Sequence, residues 1–336
     1  MAPPRILLLG TIDYAQDAWD SLSAHGQLVT PKSSNRADFF EECRSGALDG
    51  VVAAYRTFPS VAITGRFDAE LCNALPKSLR FLAHCGAGYD QIDSEACSKR
   101  DPPLLVANVP DPVNDATADT AIFLMLGALR NFNECMNSLR RGHWRDSPAP
   151  SMGHDPQGKV LGILGMGGIG RNMKRKAEAF GMTTVYHNRN KLSEQLADGA
   201  EYVSFEELLK RADVLSLNLP LNPHTRHIIS TQQLQLMKPS AVIVNTARGA
   251  VMDEAALVKA LDDGTIAGAG LDVYEDEPTI HEGLLKNEKV VLLPHVGTYT
   301  FETMRNMECW AIDNVRLAVT EGKLKSPIAE QKALAP

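Results

Sequence analysis

The sequence predicts an α/β fold made of two doubly wound parallel-sheet domains with a cleft between them. Three observations carry that prediction. Short apolar runs alternate with helical segments along nearly all of the 336 residues, the pattern of parallel strands joined by crossover helices. The alternation stops at a polar, Pro- and Gly-rich stretch, residues 145–158, and then starts again. The chain also has room for two cores, because domains usually run to about 100–200 residues and 44% of this chain is apolar.

Taken in order, Arg5–Leu9 reads as a first buried strand. Its apolar run is short and no cationic segment leads into a long hydrophobic one, so it is not read as a signal peptide. Gly50–Ala54, Leu79–His84 and Leu104–Ala107 follow as strands. Asp115–Leu139 is predicted as one long helix that joins two packed bodies. Ala116, Ala118, Ala121, Phe123, Leu124, Leu126 and Leu129 give it an almost continuous apolar surface, and it has no internal proline. After residue 158, strands are predicted at Lys159–Leu164, Thr183–Tyr186, Val214–Leu217, Ala241–Asn245, Gly268–Asp272 and Val290–Leu293. A last helix over Thr300–Glu321, with Phe301, Met304, Met307, Trp310 and Ala311 at helical spacing, would return the chain to the first domain. The expected domains are therefore 1–112 with 300–336, discontinuous and substrate-binding, and an inserted 113–299.

Composition excludes several classes of function. A net charge of −7 argues against a nucleic-acid partner, and Lys174-Arg175-Lys176 reads as a solvated helix face. No stretch approaches the roughly 18 apolar residues of a membrane span, and Leu334-Ala335-Pro336 is no sorting tripeptide. The expected location is the cytoplasm. The cysteines at 43, 72, 85, 97, 135 and 309 lack metal-type spacing, so no metal is expected and the thiols are read as reduced.

The predicted strand 160–164 runs into Gly165-Met166-Gly167-Gly168-Ile169-Gly170, followed by a predicted helix Arg171–Phe180. In this strand–turn–helix context, the dinucleotide-binding unit uses Gly165 for the turn, Gly167 for close approach to pyrophosphate and Gly170 for helix packing. The alternative is a flexible glycine turn. About 20 residues on, where an NAD site carries an acid, stand Asn188-Arg189-Asn190. With the acid missing and a guanidinium available to a 2′-phosphate, NADPH is favoured and NADH less so. The alternative for Arg189 is a solvated strand end.

Three further signals follow apolar strands: Asn245-Thr-Ala-Arg248-Gly249, Asp272-Val-Tyr-Glu-Asp-Glu277-Pro278 and Pro294-His295-Val-Gly297. Carboxyl ends of strands border the ligand crevice of an open α/β sheet, so Arg248, Glu277 and His295 are predicted to converge. Singly, each has a plain alternative: a surface ion pair, a turn acid, a core histidine. Together they suit reduction of a 2-keto acid. Forked Arg248 would hold carboxylate and carbonyl, His295 would protonate the nascent alkoxide, and Glu277 would accept the other imidazole N–H and raise the histidine's basicity.

With these motifs in place, the whole chain resembles the D-isomer-specific 2-hydroxyacid dehydrogenase family. The match extends to the turn His84-Cys-Gly-Ala87-Gly88-Tyr-Asp-Gln-Ile-Asp93, and the resemblance implies that the N–H groups of Ala87 and Gly88 bind the substrate carboxylate. It further implies that Thr117, Leu219, Pro220, Thr225, Thr246, Ala247, Asp272 and Gly297 lie at the cofactor, some only as supports. Tyr55 and Arg56 would edge the cleft on the first domain. Trp144 would sit on a dimerisation arm, closing a partner's pocket or anchoring an interface, so a homodimer is expected. Within the family the motifs are most similar to glyoxylate and hydroxypyruvate reductases, with the aryl 2-keto acids of D-mandelate dehydrogenases also open. Two other readings compete: a nucleotide-sensing corepressor and an adenosylhomocysteinase-like hydrolase. The first lacks a marked peptide groove here, and the ordered Arg248, Glu277, His295 set opposes the second.

Overall fold

A computed structural model describes residues 3–145 and 149–334. The sequence features at Met1-Ala2 and Ala335-Pro336, and part of the 145–158 stretch, lie outside the described residues. The chain divides into two compact units, Met1–Val113 with Tyr299–Pro336, and Asn114–Thr298.

The first unit holds a five-stranded sheet of β1 (Arg5–Leu9), β2 (Gln27–Val29), β3 (Val51–Thr57), β4 (Phe81–Cys85) and β5 (Leu105–Ala107). Their order is β2-β1-β3-β4-β5, and every pairing is parallel. Chain order reverses between β1 and β3, so their carboxyl ends flank a crevice. The inner strands are largely apolar and buried, as in parallel sheets covered on both faces. One of those helices, Phe301–Glu321, is capped by the Thr300 hydroxyl, which accepts from Thr303 N–H, and stops at left-handed Gly322. Its buried Glu308 accepts the N–H groups of Asp13, Tyr14 and Ala15, which ties the returning helix to the loop after β1.

The second unit holds β6 (Val160–Leu164), β7 (Thr183–His187), β8 (Glu201–Tyr202), β9 (Val214–Leu217), β10 (Val242–Asn245), β11 (Gly268–Leu271) and β12 (Val290–Leu292). The order is β12-β11-β10-β9-β6-β7-β8, again all parallel. Here the reversal falls between β6 and β9. The helix Asn114–Leu129 buries Ala118, Ala121, Leu124, Met125 and Ala128 against this sheet. It lies so close that a Cβ on Gly270 would come within 2.7 Å of Leu124 Cβ.

The single helix expected over 115–139 is instead two, Asn114–Leu129 and Phe132–Arg140. Asn131 between them is left-handed at φ 51°, a conformation asparagine adopts more readily than most residues. Its amide donates to the carbonyls of Ser151 and Met152. Edge strands β2 and β8, three and two residues long, had no sequence signal. Among the described residues no helix is long and apolar enough to cross a membrane.

Candidate active site

The glycine loop leaves β6 at the reversal point of the second sheet. Gly165 stands at φ +92°, and a Cβ there would lie 2.8 Å from the Asn218 carbonyl oxygen, so the turn admits only glycine. A Cβ on Gly170 would press within 3.0 Å of the Gly165 carbonyl and of Ile163, the helix-to-strand approach the motif requires. Gly167 differs. It caps the helix Gly168–Glu178, and among the described residues nothing lies within 4 Å of a Cβ built on it. No protein neighbour forces glycine at 167. Open space over backbone at a helix start is what a pyrophosphate needs, and the free N–H groups there favour an anion. Ile169 sits in the first turn of that helix, and Gly168 abuts the Asn114 amide.

At the end of β7, the Asn188 Oδ1 accepts the Met166 N–H at 2.6 Å. The Asn188 side-chain oxygen thus holds the glycine loop in place. Arg189 and Asn190 are exposed. Among the described residues Arg189 has no acidic partner, so its charge is available to a ligand.

The three catalytic candidates stand at adjacent strand ends of this sheet: Arg248 after β10, Glu277 after β11 and His295 after β12. Asn245 shapes the first of these loops, accepting from Ala247 N–H and donating to the Arg248 carbonyl, both at 3.0 Å. The half-buried Arg248 bonds the Ala247 carbonyl through Nη1 at 2.8 Å. Gly249 must be glycine, because a Cβ would fall 1.8 Å from the Tyr274 carbonyl carbon. The Arg248 and Glu277 loops thus touch backbone to backbone.

His295 Nδ1 meets Glu277 Oε2 at 2.8 Å, the side chains being 40% and 31% exposed. Glu277 Oε1 accepts from Tyr274 N–H at 2.9 Å. Burial pushes the Glu277 carboxyl up, but the His295 imidazole, the Tyr274 N–H and the Arg248 charge outweigh it and hold the group below the usual glutamate range. An ionised Glu277 fixes the Nδ1–H tautomer and leaves Nε2 to face a substrate. His295 is left-handed at φ 55°, a conformation that costs of order 1–3 kcal/mol and persists only where surroundings enforce it. Asp272 is the enforcer: 1% exposed, it accepts the N–H groups of Val296 and Gly297, both at 2.8 Å. Burial raises its carboxyl above the usual aspartate value despite those two bonds. Asp272 and Gly297 therefore build the His295 turn.

The remaining cofactor candidates divide in two. The Thr246 hydroxyl is buried and makes no hydrogen bond among the described residues, and Thr117 is buried beside Gly297. Leu219 is half-buried and Pro220 exposed, but the Thr225 hydroxyl is committed to its own turn, donating to the Pro220 carbonyl and accepting from Asn222 N–H. The open cradle at Gly167 and the orphaned Thr246 hydroxyl fit a nicotinamide dinucleotide.

In the first unit, the turn after β4 has its carbonyls tied inward. Gly86 O accepts from Val109 N–H, Ala87 O from Asn108 Nδ2 and Gly88 O from His84 Nε2 at 2.9 Å. With those oxygens held, the N–H groups of Ala87 and Gly88 have no acceptor among the described residues. Sequence reading gives Asn108 and His84 no role; only their place beside the glycine turn hints at one. Tyr55 and Arg56 correct the sequence reading. Both are 0% exposed, because adjacent residues of β3 point to opposite faces and both faces are covered. Tyr55 packs edge-on against Trp19. Arg56 bonds Gln91 Oε1 at 2.7 Å and Ser60 Oγ at 3.3 Å, and burial pulls it down to about 10. Trp144 is 70% exposed, beyond the helix Phe132–Arg140, whose Phe132, Met136 and Leu139 are also exposed.

The chain is similar to known proteins along nearly its whole length. The family model for the D-isomer specific 2-hydroxyacid dehydrogenase, NAD binding domain, matches residues 122–297. A 4-methyl-2-oxopentanoate reductase A of Aspergillus oryzae is 52% identical over 329 residues, 98% of this chain and 99% of that protein. The crystal structure of a glyoxylate reductase from Paecilomyes thermophila matches with a TM-score of 0.95 at 50% identity, covering 99% of this chain and 100% of that one. The NADPH-dependent glyoxylate/hydroxypyruvate reductase of Sinorhizobium meliloti, solved with NADP and malonate, matches at TM-score 0.84 and 31% identity over 98% of each chain.

Proposed function

The chain belongs to the D-isomer specific 2-hydroxyacid dehydrogenase family and is an oxidoreductase of 2-keto acids, and from that premise we propose that it reduces glyoxylate, hydroxypyruvate or an aryl 2-keto acid to the D-2-hydroxy acid with NADPH. The observation that carries the reading is the 2.8 Å contact between Glu277 and His295 Nδ1, beside the Arg248 loop. NADPH supplies the hydride. Arg248 holds the substrate's carboxylate and carbonyl through its forked donors, and the Ala87 and Gly88 N–H groups take the carboxylate. As charge grows on the carbonyl oxygen, His295 gives its Nε2 proton while Nδ1–H stays on Glu277, so the ring ends neutral in the tautomer the carboxylate selects. In the oxidation direction the same nitrogen takes the proton back.

The preference for NADPH rests on the unpartnered Arg189 and on the absence of an acid at the β7 tip, and the Sinorhizobium relative is named for the same cofactor. The Thr246 hydroxyl and the Gly167 backbone are assigned to the cofactor. We also assign the exposed Phe132, Met136, Leu139 and Trp144 to a homodimer contact, and the protein to the cytoplasm. The test is absorbance at 340 nm with NADPH or NADH against glyoxylate, hydroxypyruvate, phenylglyoxylate and 4-methyl-2-oxopentanoate. Faster oxidation of NADPH with at least one of these acids is expected. NADH preferred throughout would remove the role given to Arg189.

A further inference from the structure

The loop that carries Glu277 also carries Glu275, and the two glutamates are each paired with a histidine. Glu275 Oε1 accepts from His227 Nε2 at 2.5 Å and from Arg226 Nη2 at 2.8 Å, with the Glu275 side chain only 18% exposed. His227, like His295, is a left-handed non-glycine residue, at φ 51°. Two of the four such residues described in the chain are thus the partners of one loop's carboxylates. The His227 backbone N–H donates to the Ala250 carbonyl at 2.9 Å, so His227 is also tied to the segment that follows Arg248. From the other side, the buried Glu254 accepts the Glu275 N–H at 2.5 Å, and Gly249 is pressed against the Tyr274–Glu275 peptide. Three loops, 222–228, 248–250 and 274–277, meet around Glu275: its carboxylate holds His227 and Arg226, its backbone lies against Gly249, and His227 N–H closes the circuit on Ala250.

We propose that Glu275, held by His227, is a positioning residue for the reaction: it locks the 274–277 loop onto the Arg248 segment and so fixes Glu277, and through it His295, relative to Arg248. The proposal rests on the reading of Glu277 and His295 as the proton-transfer pair. Glu275 touches neither substrate nor reacting atoms. Its effect is on where the catalytic carboxylate stands, and small displacements of such a group cost much in rate.

The experiment is a double-mutant cycle. Glu275→Ala is expected to lower kcat with glyoxylate by roughly ten- to a hundred-fold, with the KM for NADPH within about two-fold. Glu275→Gln keeps an oxygen that accepts from His227 and Arg226, and should recover most of the rate. In a Glu277→Ala background, Glu275→Ala should cost less than about two-fold, because the group it positions is gone. His227→Ala, which cuts the same bond from the other side, should repeat the pattern and serves if Glu275→Ala does not fold. An equal loss in both backgrounds, or no loss on the wild-type background, would overturn the proposal. Glu277→Ala with unchanged turnover would instead overturn the proton-transfer reading beneath it.

Discussion

At the residue scale, the site depends on side chains whose chemistry is legible in sequence and on supports whose chemistry is not. Arg248, Glu277 and His295 follow strands, and the need for a cation, an acid and a titrating base singles them out. Gly249 did not stand out, because its requirement comes from Tyr274, 25 positions away, against which a Cβ would fall 1.8 Å from the carbonyl carbon. Gly249→Ala is therefore expected to destabilise at the upper end of the about 1–3 kcal/mol typical of overpacking, and to lower activity by displacing the Arg248 loop. Urea denaturation alongside initial rates checks both. Glu277 gives a pH signature. Its folded carboxyl is held below the ordinary value of 4.5, so its ionised form contributes stability fully above that value, and the contribution is lost as pH falls through the lowered folded value. The stability difference between wild type and Glu277→Gln should narrow as pH falls below the ordinary value of 4.5. A difference that instead widened below that value would contradict the ionised assignment. Tyr55 shows the limits of sequence reading at this scale: it has the right type for a ligand contact, and the packing around β3 buries it completely.

At the element scale, the strands were legible because parallel strands covered on both faces are apolar nearly throughout. The central ones, β6 and β9–β11, fall within a residue of their expected positions. Edge strands β2 and β8 were not legible, being short and partly exposed, with no apolar run to mark them. The helix break at Asn131 was missed because apolar periodicity carries through it and only the backbone conformation records the stop. Asn131→Ala places a Cβ-bearing residue without asparagine's local hydrogen bonding at φ 51°. It also removes the donors to Ser151 and Met152. A loss of about 1–2 kcal/mol is expected, read as a lowered Tm. An unchanged or raised Tm would mean that the two helices tolerate fusion into one.

At the scale of the whole molecule, both units follow one plan: an all-parallel sheet whose strand order reverses once, with the functional turns at the carboxyl ends. In the first unit the turn after β4 turns its carbonyls inward and leaves two N–H groups without an acceptor among the described residues. In the second, the glycine loop opens beside β6, and the Arg248, Glu277 and His295 loops succeed one another along β10, β11 and β12. The division into a discontinuous and an inserted unit was legible from the restart of the strand–helix alternation after residue 158 and from the apolar spacing of the last helix. The loop-to-loop locks at Glu275 and Asp272 were not, since they join residues that only the fold brings together.

The central claim is that His295, held by Glu277, gives the proton during NADPH-dependent reduction of a 2-keto acid. The most direct measurement compares the initial rate of NADPH oxidation by wild type and His295→Ala under saturating glyoxylate, with NADPH binding followed by fluorescence on the same preparations. We expect the rate to fall by roughly two to four orders of magnitude, the range for losing a general acid, while NADPH binds with unchanged affinity. A variant that turns over as fast as wild type would contradict the claim.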